Sequence, residues 1–167
     1  MVALRLSLDD LDASESLSEA IRRAGDLTPL MEQIGRVLEF SVSERFKNSV
    51  GPGGTPWPVS HRAREVGGQT LIDKGHLRDS ISTEASARSV VIGTNMPYAH
   101  VHQFGALIEP KTVDEDATAK LAFRLPNGQF VMVDQVEIPA RPFLGFDDAD
   151  AADIADAVNA YFNPVFS

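Results

Sequence analysis

Two imidazoles two positions apart, His100 and His102, are the side chains best suited to chemistry in this sequence. On a strand they would project from one face, as metal-binding His-X-His pairs do. On a helix the same spacing sends them to nearly opposite sides. Their neighbours favour the helix. Val90, Val91 and Ile92 form a β-branched run suited to a pleated strand, and Gly93 ends it. Asn95 is a good helix cap, Pro97 suits a first helical position, and Gly105 can close the helix in a left-handed conformation. The segment predicts a helix over residues 97–104, with Tyr98, Val101, His102 and Gly105 at the spacings of a docking face. A metal site would also need companions. The chain has no cysteine, only four histidines and no local carboxylate before Glu109. The pair is therefore expected to pack or hydrogen-bond, with no metal, no cofactor and no catalytic role. The rival is a metal-dependent hydrolase using His100, His102 and a distant Asp73 or Asp79. It lacks a nucleophile and base at recognisable spacing, because Ser80 beside Asp79 is not a triad.

Two further side chains invite a binding role. Trp57, the only tryptophan, sits between prolines in GPGGTPWP, and either pins that loop to the core or anchors an interface. The glycines of the loop lack the lysine of a phosphate-binding motif. Arg141 stands between the two prolines of IPARPFLG, a segment that cannot be a regular helix. Its guanidinium fork could tie down carbonyls or a carboxylate.

The elements that must position these residues follow from periodicity. Val2, Leu4, Leu6 and Leu8 alternate as in a half-buried strand, and Asp12 with Glu15 forms a capping-box pattern ahead of a helix over residues 13–24. Thr28 and Pro29 open the longest helix, with Leu30, Ile34, Val37, Leu38, Val42 and Phe46 on one stripe. Residues 48–70 show almost no periodicity and read as a long loop, as do residues 106–118, which are acidic. Leu77 and Ile81 mark a short helix after Gly75, residues 82–86 pair with the Val90 strand, and Asn127-Gly128 turns a second hairpin. Asp147 and Asp148 cap a last helix with Ile154, Ala155, Val158, Tyr161 and Phe162 as its apolar stripe, stopped by Pro164. The predicted class is α+β, with an antiparallel sheet packed against one long and two or three shorter helices and with long loops that order on assembly.

At 167 residues the chain is expected to form a single domain, 1–167, whose 43% hydrophobic and 23% charged content is that of a globular protein. No apolar run reaches the length of a membrane span, and no secretion signal opens the chain. A net charge of −9 opposes binding to phosphate backbones, so neither membrane nor sequence-specific nucleic acid is an expected partner.

The ordered motifs resemble a known family, the phage virion morphogenesis or tail completion proteins of Mu-like and P2-like phages and prophages. The likeness rests on Arg45-Phe46 at a helix end, GTPW at residues 54–57, LIDKGHLRDSI at 71–81, GTNMPYAHVHQFG at 93–105 and IPARPFLG at 138–145. It implies a non-enzymatic structural protein that completes the tail or joins it to the head, acting as a homo-oligomeric ring. Tail symmetry suggests a hexamer. The implied partners are further copies of itself and other neck or tail proteins, first in the host cytoplasm during assembly and then in the virion. Candidate interface residues are Trp57, Tyr98, His102, Phe104, Arg141 and Phe143. Acidic side chains lining the ring would let DNA slide. The remaining alternative is a monomeric protein-binding module that uses the Trp57 loop.

Overall fold

The stripe of Leu30, Ile34, Val42 and Phe46 is buried on one side of a 21-residue helix, α2 (Thr28–Asn48), in a computed structural model of the chain. The structure describes residues 11–111 and 119–163. Pro29 occupies the first turn of α2, where its missing N–H costs nothing, while Leu27 takes the cap position and Asp26 accepts from the Thr28 amide at 2.9 Å. Ser49 ends the helix in the left-handed region (φ 55°), its amide reaching the carbonyls of Arg45 and Phe46.

Around α2 the elements run α1 (Leu11–Gly25), α3 (His61–Val66), α4 (His76–Asp79), β1 (Ser82–Ala85), β2 (Val90–Gly93), α5 (Ala99–Phe104), β3 (Ala106–Ile108), β4 (Leu121–Arg124), β5 (Phe130–Val133), β6 (Val136–Ile138) and α6 (Asp148–Phe162). The α+β class holds. The single sheet does not: among the described residues the strands form three two-stranded antiparallel ladders, β1–β2, β3–β6 and β4–β5. Each strand is three or four residues long, and Pro139 ends β6 directly.

One face of α2 lies across β1–β2 and another along α6. Gly35 permits the first contact, because a Cβ there would stand 2.8 Å from Thr83 Oγ1. The Thr83 hydroxyl then donates to Glu39 at 2.7 Å. Helix α1 is fastened to the far end of α6 by Arg23, which donates to the Tyr161 carbonyl at 2.7 Å and lies over its ring.

Several expectations are corrected. Residues 48–70, read as a loop awaiting assembly, are built within the single chain. Val50 bridges Pro56, a 3-10 turn covers Pro52–Gly54, and Ser60 caps α3 by accepting from the Ala63 amide. Their order comes from distant partners that periodicity does not register. In the 106–118 stretch, residues 106–108 are strand β3, paired with β6. Helix α5 starts at Ala99, with Tyr98 as its cap, because the Thr94 hydroxyl takes the Met96 amide into a turn and leaves Asn95 outside. Helix α1 begins at Leu11, upstream of the expected capping box. In α6 it is Ala157 and Asp150 that are buried and Ala155 that is exposed, a rotation fixed by the ion pair described next. The expected strand at residues 2–8, the acidic residues 114–116 and the Pro164 stop lie outside the described residues.

The core joins Val42 and Phe46 to Trp57, Leu77, Ala99 and Phe143. Phe46 meets Trp57 edge-on at 5.6 Å and Phe143 at 5.3 Å. At its border, Arg45 and Asp150 are both buried and hydrogen-bonded at 2.5 Å. Arg45 also donates to Asp147 at 3.1 Å and to the Gly145 carbonyl at 2.9 Å. Asp147 accepts from the Gly53 amide, and Asp150 accepts from the Ser41 hydroxyl and the Asp147 amide. One guanidinium thus ties the end of α2, the glycine turn and the start of α6.

Removing one partner would strand a buried charge. Arg45→Ala is expected to lose about 3–5 kcal/mol of stability in urea unfolding. The carboxyl of Asp147 is held below the usual aspartate range by the amides of Gly53 and Asp150 and by Arg45. Its stabilisation is complete above the unfolded aspartate pKa and is lost as pH falls through the lower folded value. Melting temperatures of the chain and of Asp147→Asn should therefore converge in acid and separate at neutral pH.

Candidate functional site

The segment IPARPFLG is extended because its prolines forbid a helix, and it runs as a strap beneath α5. Gln103 of α5 clasps it with both ends of its amide. Its Oε1 accepts from the amides of Phe143 and Leu144 at 3.0 Å, and its Nε2 donates to the Leu144 carbonyl at 2.7 Å. The Arg141 amide donates to the His102 carbonyl at 2.7 Å. Gly105 lets helix and strap close up: its φ is +75°, and a Cβ would lie 2.9 Å from the backbone at Ala140 and Ile138. On the other side of the strap, the Trp57 indole donates to the Pro142 carbonyl at 3.0 Å, and Arg141 Nε donates to the Pro58 carbonyl at 2.7 Å. The Arg141 fork therefore ties carbonyls, one of the two roles its sequence context allowed.

The six candidate interface residues divide into two groups. Trp57, Arg141 and Phe143 are buried and bonded or packed within the chain: Trp57 pins its loop to the core, Phe143 lies in the core, and Arg141 shows only at the edge of a cleft. Tyr98 and Phe104 are exposed, Phe104 by 67%, and Leu107 on the following strand by 55%. His102 is half-buried between the two groups. Gln103, which organises the strap, gave no sequence signal beyond being an amide between two aromatic-rich positions.

The helix separates the imidazoles as its geometry requires. His100 stacks on Phe104 at 4.9 Å, while His102 meets Tyr98 edge-on at 6.0 Å. His102 faces a cleft of about 320 Å³ that Asp73, His76, Tyr98 and Arg141 also line. Its Nδ1 is enclosed with no hydrogen-bond partner among the described residues. Of the hydrolase residues, Asp79 is engaged by Arg78 at 2.6 Å, and the Ser80 hydroxyl donates to the Leu77 carbonyl and bonds Thr94. No three histidine, aspartate or glutamate side chains converge as metal ligands among the described residues.

Burial and the nearby Arg141 charge push the His102 pKa below its ordinary 6.5. The folded state thus resists a proton that the unfolded chain accepts, and stability falls as pH drops from 6.5 toward the lower folded value. Proton NMR should show His102 titrating below the ordinary imidazole value of 6.5, and His102→Gln should flatten that limb of the stability profile.

The chain is similar to Mu-like prophage FluMu G protein 2 of Haemophilus influenzae, 29% identical over 157 residues that cover 92% of this chain and 94% of that protein. No solved structure matches it. The model of the phage virion morphogenesis family matches residues 8–163. With nearly its whole length so matched, the chain belongs to the phage virion morphogenesis family and serves in the assembly of phage particles.

Proposed function

We propose that this protein is a non-enzymatic subunit of a homo-oligomeric ring, six-fold by tail symmetry, that completes the tail or joins it to the head. The observation that carries the reading is the placement of phenylalanine. Five of the nine, Phe40, Phe104, Phe123, Phe130 and Phe146, are exposed on a chain whose buried core holds Phe46 and Phe143. Large apolar rings in water mark surfaces that another protein covers. The rim of α5 and β3, with Tyr98, Phe104 and Leu107, stands on the clamped strap and is therefore already in its bound shape, which lowers the entropy cost of association.

In this reading the ring assembles in the host cytoplasm, contacts other neck or tail proteins and stays in the virion. Permanent interfaces of this kind bury about 2,000 Å² or more. The non-enzymatic role is supported by the packing of His100 on Phe104 and the capture of Asp79 by Arg78. The net charge of −9 suits a lumen through which DNA slides without sticking.

Light scattering tests the ring directly. The purified chain is expected to have a multiple of its 18.1 kDa mass. Phe104→Asp should reduce that mass and leave particles without completed tails, while Trp57→Phe should keep it. A strictly monomeric chain at high concentration, or binding to duplex DNA that weakens with salt, would contradict the reading.

A further inference from the structure

Among the described residues, the ladder β4–β5 pairs with no further strand and keeps much of its apolar surface exposed. Its register pairs Ala122 with Met132 and Arg124 with Phe130 on one face, and Leu121 with Val133 and Phe123 with Val131 on the other. Both faces are thus apolar. Phe130 and Met132 are 55% and 57% exposed. Neither strand pairs with a further strand among the described residues, and the ribbon's tip is held by one exposed contact, Asn127 to Glu65 at 3.0 Å. An isolated two-stranded ribbon is marginal in water, so this one needs a cover.

A complementary surface lies elsewhere. Between α2 and α6 runs a groove of about 540 Å³ with Val37, Phe40 and Ala157 in its lining and Arg36, Asp153 and Asp156 around it. Phe40 is 66% exposed. Ribbon and groove are both open in the single chain, so they do not cover each other within it.

We infer that the β4–β5 ribbon of one copy seats Phe130 and Met132 in the α2–α6 groove of the next. This rests on the ring reading and gives it a geometry. Two unlike patches on one molecule make a head-to-tail contact, the kind that closes into a ring. Charge fits the same occupant. The Arg124 guanidinium lies over the Phe130 ring at 5.8 Å and enters with it, meeting Asp153 and Asp156, which outnumber Arg36 at the groove. The other charges on that ribbon face, Lys120 and Asp134, pair with each other at 2.8 Å.

The chain has no cysteine, so introduced thiols report without interference. Met132→Cys and Phe40→Cys chains, mixed and treated with a short dithiol-reactive crosslinker, are expected to give a linked pair. The double variant should give a ladder that stops at the ring size. A link within one chain, or none between chains, overturns the assignment. Arg124→Glu should raise the concentration at half-assembly by about tenfold, and Asp156→Arg added to it should restore assembly. Failure of that rescue also overturns it. If the unaltered chain is itself monomeric, the ring falls and this contact with it. If the chain is a ring that neither crosslinks nor responds to Arg124→Glu, the ring stands and only the ribbon contact is wrong.

Discussion

The fold depends on one charge placed where water does not reach. Arg45, the residue before the core's central Phe46, neutralises the buried Asp150 and gathers Asp147 and the carbonyl of Gly145 around it. Such a pair gains little over an apolar replacement, but breaking it strands a charge. That asymmetry makes it a device for specifying position. Asp150 cannot leave Arg45, so α6 has one rotation, and Ala157 turns inward while Ala155 faces out. Asp147 cannot leave the Gly53 amide, so the glycine turn has one position as well. The six-residue path from that turn to α3 then starts from a fixed point.

The strap extends the same logic. Its prolines leave carbonyls without a helical partner, and those carbonyls become anchors for Trp57 and for Gln103. Polar groups on both neighbouring elements therefore read its backbone, and its side chains Phe143 and Arg141 fill the space between them. Three of the motifs that carry the resemblance to the family, GTPW, GTNMPYAHVHQFG and IPARPFLG, meet at this strap. They build the frame. Exposed apolar side chains, Tyr98 and Phe104 on α5 and its cap and Phe130 and Met132 on the β4–β5 ribbon, project from it.

This division explains what was legible in the sequence. Helix α2 was plain because Leu30, Ile34, Val42 and Phe46 are local in spacing and bury together. The two hairpins were plain because β-branched runs and Asn127-Gly128 act through neighbours. Trp57 stayed ambiguous, since an indole that pins a loop and one that anchors an interface differ only in what lies opposite. Here that is Pro142, 85 residues away. Residues 48–70 looked structureless for the same reason, and α5 began late because Thr94, and not Asn95, captured the first free amide. In the candidate site, the separation of His100 from His102 followed from helix geometry alone. The role of Gln103 did not, because an amide declares its partners only when the strap is in place.

In the proposed ring, a chain with this much exposed aromatic surface would have to fold before it meets its neighbours, and the two demands conflict. Apolar side chains held out of the core contribute nothing to the stability of the free subunit and promote its random association. Two features of the sequence offset this. The net charge of −9 makes free copies repel at long range, a repulsion that in the proposed ribbon contact the opposed charges of Arg124 and Asp156 would overcome in one orientation. The polar ties at Arg45, Gln103 and Arg141 hold the frame without calling on Phe104, Phe130 or Met132, so those rings remain free for contact. In the proposed ring, assembly would add the apolar burial that the monomer lacks, and by mass action it would stabilise the subunits it recruits.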